Sequence, residues 1–145
     1  MKDIGRWAAW AAGLWAGLLL AIAVVAAPAA FAVLDRVDAG RFVGRLFAQE
    51  AYASLVIGVL LVLAERVLTR RRAEGPLSTT MLLLLGALFC TVAGYFAIQP
   101  LMAEARAGQG PWSFAALHGA STVFFGAKTL FVAAAAFRLT RALTS

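Results

Sequence analysis

Apolar residues run along this chain in four long blocks, each closed by a cluster of charge or by Pro and Gly. Trp7 to Leu34 carries no charged side chain over 28 residues. A second block, from about Phe42 to Leu63, follows "LDRVDAGR" and holds Arg45, Gln49 and Glu50 in its first half before "ERVLTRRRAEGP" closes it. The third, Leu77 to about Met102, contains Thr91, Tyr95 and Gln99 and reaches Pro100; the fourth runs from about Ser113 to Phe137 and closes with "RLTRALTS". About 20 apolar residues suffice to cross the hydrocarbon core of a bilayer. Each block therefore predicts one spanning helix, over about 7–34, 42–66, 77–102 and 113–138. The fold expected is all-α, an integral membrane four-helix bundle in a single domain over 1–145. Proline lacks the N–H of an interior helical bond, so Pro28 is expected to kink or end the first helix and Pro100 to end the third.

Composition agrees with that reading. Hydrophobic residues make up 63% of the 145 and charged ones 14%, far from the roughly half-apolar, quarter-charged mix of soluble domains. The net charge of +6 is spread between the apolar blocks rather than gathered on a polar face, so it argues topology and not nucleic-acid binding. Lys2 and Arg6 precede the first block, Arg66, Arg70, Arg71 and Arg72 lie between the second and third, and Arg138 and Arg141 follow the fourth. The other two connections hold Arg36 and Arg41, offset by Asp35 and Asp38, and Arg106 beside Glu104. The positive-inside rule then puts both termini in the cytoplasm, N-in and C-in, as expected of a multi-pass protein of a bacterial inner membrane. Trp7 and Trp10 at one interface and Trp112 at the other suit an aromatic belt. The first block resembles a signal peptide ending in "AAPAA", but its apolar stretch is longer than the roughly 7–15 residues of a signal core, and a retained helix is expected.

Ionisable groups inside a bilayer cost several kcal/mol unless they reach water or a partner, which makes them functional candidates by default. Arg41 is expected at the interface and Arg45 one turn further in, within snorkelling reach. Glu50 is nine residues from Arg41, about 13 Å along the axis, too deep for its short stem; it must be neutral, paired or in a wet cavity. Arg45, Gln49 and Tyr52 share a stripe at i, i+4 and i+7, with Glu50 about 100° round from Gln49. Tyr95 and Gln99 on the third helix, and His118 with Ser121 on the fourth, fall at similar depth. The candidate polar site is Arg45, Gln49, Glu50, Tyr52, Tyr95, Gln99, His118 and Ser121, with an Arg45–Glu50 ion pair as its sharpest element. Lys128, in the inner half of the fourth helix, is a secondary candidate that either snorkels or faces the interior. Gln99, Thr91, Thr122 and Ser121 also suit the plain role of hydrogen-bonding helices together.

Metal chemistry is poorly supplied. The chain has one His, one Cys and three Met, and Met81, Cys90 and Met102 fall at three different depths, so no metal site and no cofactor is expected. Cys90 reads as a small packing residue. Gly13 with Gly17 and Gly40 with Gly44 are GxxxG spacings that let helices approach closely. The expected partners are the lipid bilayer and either a second copy or another membrane protein, with no nucleic acid. "ERVLTR" and "AFRLTR" recur 71 residues apart, a thin internal echo of two halves.

"AAPAAFAVLDRVDAGRFVGRLFAQEAY" resembles the motif of the transmembrane protein 205-like family, also known as domain of unknown function 4149, through Pro28, Phe31, Gly40, Phe47 and Tyr52. "IQPLMAEAR" and "LHGAS" resemble its second pair, through Gln99, Pro100, Arg106, His118, Gly119 and Ser121. The resemblance implies a small four-helix membrane protein whose activity is not established. A more distant likeness to copper-resistance CopD-like membrane proteins would imply metal or haem handling, against which the ligand count stands.

Two functions follow as expectations. The first is binding or passage of a small solute, ion or lipid through the polar site in the outer half of the bundle. The second is an accessory role, assembly with a membrane partner, with the polar layer serving only helix packing. An enzyme ranks third, because no nucleophile and base can be paired from the sequence.

Overall fold

A computed structural model describes residues 2–72, 75 and 77–144; Ala73, Glu74 and Pro76, part of the expected Pro/Gly closure of the second loop, lie outside the described residues. Four helices make the fold, with no strand among the described residues. The first, α1, runs without a break through an α-helical piece Lys2–Ala21, a π-helical turn Ile22–Ala26 and a second piece Ala27–Val33. The second, α2, is Arg36–Arg71; the third, α3, joins Thr79–Thr91, a π-helical turn Val92–Ala97 and Ile98–Arg106; the fourth, α4, is Phe114–Arg141. All four are long and apolar enough to cross a membrane, and the chain is a multi-pass helical protein.

The third helix runs past its expected end at about Met102, and the first, expected over about 7–34 with Pro28 kinking or ending it, runs through that proline to Val33, both for one reason. Proline at position i removes the bond to the carbonyl at i−4 and crowds it. In both cases that carbonyl, on Val24 for Pro28 and on Phe96 for Pro100, lies inside a π-helical turn. The widened turn absorbs the clash, as single π turns in α-helices commonly do. Hence α1 continues to Val33 and α3 to Arg106, past both prolines. The "RVDAGR" segment is likewise helix rather than loop, because Asp35 caps α2.

Side-chain caps start the later helices. Ser78 accepts from Met81 N at 3.0 Å and Ser113 from Ala116 N at 3.2 Å. Ser78 also donates to Glu65 Oε1 at 2.6 Å, tying the buried end of α2 to the start of α3. Gly108, at φ 71°, ends α3 in the left-handed conformation that favours glycine. Asp35 accepts from Val37 N at 2.9 Å and Asp38 N at 3.0 Å. The Asp38 N–H, and after it that of Val37, holds the Asp35 carboxyl below its ordinary value. A depressed folded value contributes stability above the unfolded pKa of about 3.9 and loses it as pH falls through the lower folded value. Thermal melts between about pH 3 and pH 6 are expected to show this loss in the wild type; Asp35→Asn, which keeps a capping acceptor but cannot titrate, should lack that component.

The bundle has a closed end, with the α2–α3 connection and both termini, and an open end, with the other two connections. Toward the closed end α1 packs on α2 and α4, and α3 packs on the same two helices. Their shared core contains Ala8, Ala12 and Trp15 of α1, Leu61 of α2, Leu84 of α3 and Val132 of α4. Alanines along α1 allow the close approach typical of membrane helix pairs. Toward the open end this core divides into two separate clusters. Ala30 of α1 packs with Ala39 and Val43 of α2, while Ile98 and Met102 of α3 pack with Leu117 of α4. The helices past each π turn therefore splay as two pairs.

The two halves are related in register as well. α2 and α4 start at Arg36 and Phe114, and the same spacing of 78 separates Glu50 from Lys128. It also separates Phe47 from Phe125, which meet edge to face at 5.1 Å, and pairs the buried Ala39 with Leu117 and Leu61 with Leu139. The 71-residue sequence echo falls two helical turns short of this structural register.

Candidate functional site

Where the core divides, a cleft of about 640 Å³ opens between the two helix pairs. Ala23 and Ala27 of α1 and Gly40, Gly44 and Phe47 of α2 form one wall; Cys90, Gly94 and Tyr95 of α3 and Ser121 and Phe125 of α4 form the other. Added carbon at Gly40 or Gly44 would meet nothing within 4 Å, so these glycines widen the cleft rather than seat a neighbouring helix. Gly94 acts oppositely: a Cβ there would fall 2.5 Å from Phe124 Cβ, and only glycine admits the α3–α4 approach.

Glu50 and Lys128 make the floor. Both are buried, and the Lys128 ammonium donates to Oε1 at 2.7 Å and to Oε2 at 2.9 Å. Ser54 donates to Glu50 Oε1, and Trp15 Nε1 donates to Ser54 Oγ at 2.8 Å. The ammonium also lies 5.0 Å from the centroid of Phe125. Charges removed from water need such saturation: a carboxylate that accepts three hydrogen bonds, two from Lys128 and one from Ser54, and a cation shared with an aromatic face. Beneath the floor, Trp15, Leu84 and Val132 are fully buried and close the path to the other end.

The rim is basic and aromatic. Arg36 and Arg106 reach the cleft from α2 and α3, and Phe114 and His118 from α4. The Arg106 guanidinium sits 4.7 Å from the Phe114 centroid, and the His118 ring stacks on Phe114 at 5.8 Å and 13°.

Residues 10–110 match the family described as a domain of unknown function, DUF4149. The chain belongs to this family. No curated protein and no solved structure matches it. In this DUF4149 protein the matched stretch takes in α1 from Trp10 onward and all of α2 and α3, with Trp15, Glu50 and Ser54, while His118 and Lys128 lie beyond it.

Of the eight polar residues expected to converge, Glu50, Tyr95, Gln99, His118 and Ser121 line the cleft. Arg45, Gln49 and Tyr52 do not: all three are exposed on the outside of α2, with Tyr52 edge to face against Phe96 at 5.3 Å. The expected Arg45–Glu50 pair is corrected to Lys128–Glu50. Five residues along a helix turn about 140°, so with Glu50 facing inward Arg45 cannot follow. Lys128 faces the interior and does not snorkel. Ser121 donates to Gly94 O at 2.9 Å, Thr122 to His118 O at 2.9 Å and Thr91 to Ala87 O at 2.9 Å, so these hydroxyls are bonded to backbone. Among the described residues, the ring nitrogens of His118 have no hydrogen-bond partner, and no three His, Cys, Asp or Glu side chains gather as for a metal. Ser54 and Trp15 were not anticipated. Ser54 carries a readable signal, i+4 from Glu50 on the same face, whereas Trp15 lies in an uninterrupted apolar run that distinguishes no position.

Proposed function

We propose that this DUF4149 protein is a membrane-embedded binding protein that takes a small, largely apolar molecule into the cleft between its splayed helix pairs. One observation carries the reading: the packed core divides in half of the bundle and leaves about 640 Å³, inside the roughly 300–1,000 Å³ range of small-molecule sites. A bundle built only for packing gains nothing from that division. Binding is favoured over free passage, because Trp15, Leu84 and Val132 block the far end. Residues that carry the likeness to the transmembrane protein 205-like group gather on the cleft as well, Phe31, Gly40 and Phe47 on one side and Gln99, Arg106 and His118 on the other. Under the positive-inside rule the closed end, with Arg66, Arg70 to Arg72, Arg138 and Arg141, faces the cytoplasm of a bacterial inner membrane, and the cleft opens to the outer leaflet.

Gly44→Phe fills the cleft where there is open space. Native mass spectrometry of the full chain, purified in mild detergent after incubation with a membrane lipid extract, is expected to show bound adducts on the wild type and few on this variant. A wild type without adducts, or a variant that keeps them, would overturn the reading.

A second reading, assembly with a partner helix, has one observation of its own. Gly13 and Gly17 leave open space on the outward face of α1, where another helix could approach closely. A cysteine placed at position 13 in a Cys90→Ala background should cross-link in membranes if that reading holds, and stay uncoupled otherwise.

A further inference from the structure

We propose that the occupant of the cleft is a single-chain anionic lipid, its acid group held at the rim by Arg36 and Arg106 and its chain running down to the Glu50–Lys128 floor. The inference rests on the binding role above and adds the chemistry and orientation of the ligand.

Charge decides which end takes the anion. At the floor, both carboxylate oxygens of Glu50 are engaged by Lys128, and Oε1 also by Ser54, so the cation is already neutralised where it is deepest. At the rim the balance differs. Among the described residues the ion pairs are Lys128–Glu50 and Arg41–Asp38 at 3.6 Å. Of the nearby carboxylates, Asp38 is taken by Arg41 and Asp35 faces backbone donors at the start of α2, while Glu104 forms no ion pair. Arg36 and Arg106 thus line the cleft without a carboxylate partner, and Arg106 is steadied by the Phe114 ring, which leaves its N–H fork for a ligand oxyanion.

Length and shape decide the rest. Arg36 and Glu50 are fourteen residues apart on one continuous helix, about 21 Å of rise. Half of a bilayer's roughly 40–45 Å total thickness is about the same, so rim and floor lie at the depths of a headgroup and of the end of an acyl chain. Between them most of the wall is Ala, Gly, Val and Phe, a surface that suits a chain; Tyr95 and Gln99 also line it, while the Thr91, Ser121 and Thr122 hydroxyls are tied to backbone carbonyls. A free fatty acid and a lysophosphatidic acid share this chemistry, one acyl chain under one acid group.

The test uses the full chain in detergent with three probes of one chain length: palmitate, palmitoyl lysophosphatidate and uncharged monopalmitoylglycerol. Wild type is expected to bind at least one of the two anions, and to bind it about tenfold or more tighter than the glycerol ester. Arg36→Gln with Arg106→Gln should remove that preference, bringing binding of the anions down to the level of the glycerol ester; Gly44→Phe should weaken all three. Palmitate bound alone identifies a carboxylate ligand, lysophosphatidate bound alone a phosphate ligand, and either supports the proposal. Equal binding of charged and uncharged probes, or a charge preference that survives loss of both arginines, would overturn it while the Gly44→Phe effect keeps the binding role intact. Competition by inorganic phosphate alone would overturn the requirement for a chain. Indifference of every probe to Gly44→Phe would overturn the binding role itself.

Discussion

Lys128→Met is expected to destabilise the protein by about 3–5 kcal/mol, the range for breaking a buried ion pair from one side. The cost comes from what is left behind: Glu50 remains buried with Ser54 as its donor and no cation, so it must protonate or draw in water. Glu50→Leu should cost a comparable amount by leaving the ammonium unpaired. The double variant Glu50→Leu with Lys128→Met should regain most of the loss, since well-packed apolar residues commonly replace such pairs at little cost. Because the two positions are equivalent in register on α2 and α4, the exchange Glu50→Lys with Lys128→Glu should also recover part of the stability. Unfolding in graded mixtures of mild detergent and SDS, followed by circular dichroism, measures all five proteins. Single effects that simply add in the double variant, with a coupling below about 0.5 kcal/mol, would show that the pair does not act as a unit.

Trp15→Ala is the second large effect, expected at about 3–5 kcal/mol for truncating a fully buried aromatic. Trp15 has no exposed surface and stands in the core shared by all four helices, directly under the floor. Truncation empties that position and takes the indole N–H from Ser54, whose own proton goes to Glu50. Trp15→Phe separates the two contributions. It keeps most of the ring and loses the hydrogen bond, so it should cost roughly 0.6–1.7 kcal/mol beyond the volume change. Near-equal losses for Ala and Phe in the same unfolding assay would mean that the hydrogen-bonded chain through Ser54 outweighs packing.

Legibility followed the range over which each rule acts. The spans were readable because crossing hydrocarbon demands about 20 apolar residues in a row, a property of consecutive positions. The depth of Glu50, Gln99 and His118 was readable from the constant rise of a helix, and all three line the cleft. Direction was less readable. Periodicity assigns an angle around one helix but not which neighbour meets it, which is why Arg45 was paired with Glu50 although it faces outward. The end of the third helix was misjudged at Pro100, and Pro28 does not end the first, because the local rule assumes an α-helical turn in front of the proline, and a π turn stands there in both.

The sequence by itself determined that this chain forms four apolar helices, and that a few polar groups would lie deep within them, since those outcomes depend on hydropathy and spacing alone. Only the tertiary structure decided that the carboxylate of α2 meets the ammonium 78 residues away on α4, and that the core divides beyond them to leave a cleft. Both depend on how helices distant in sequence cross, which is set by the summed packing of small and large side chains over the whole bundle.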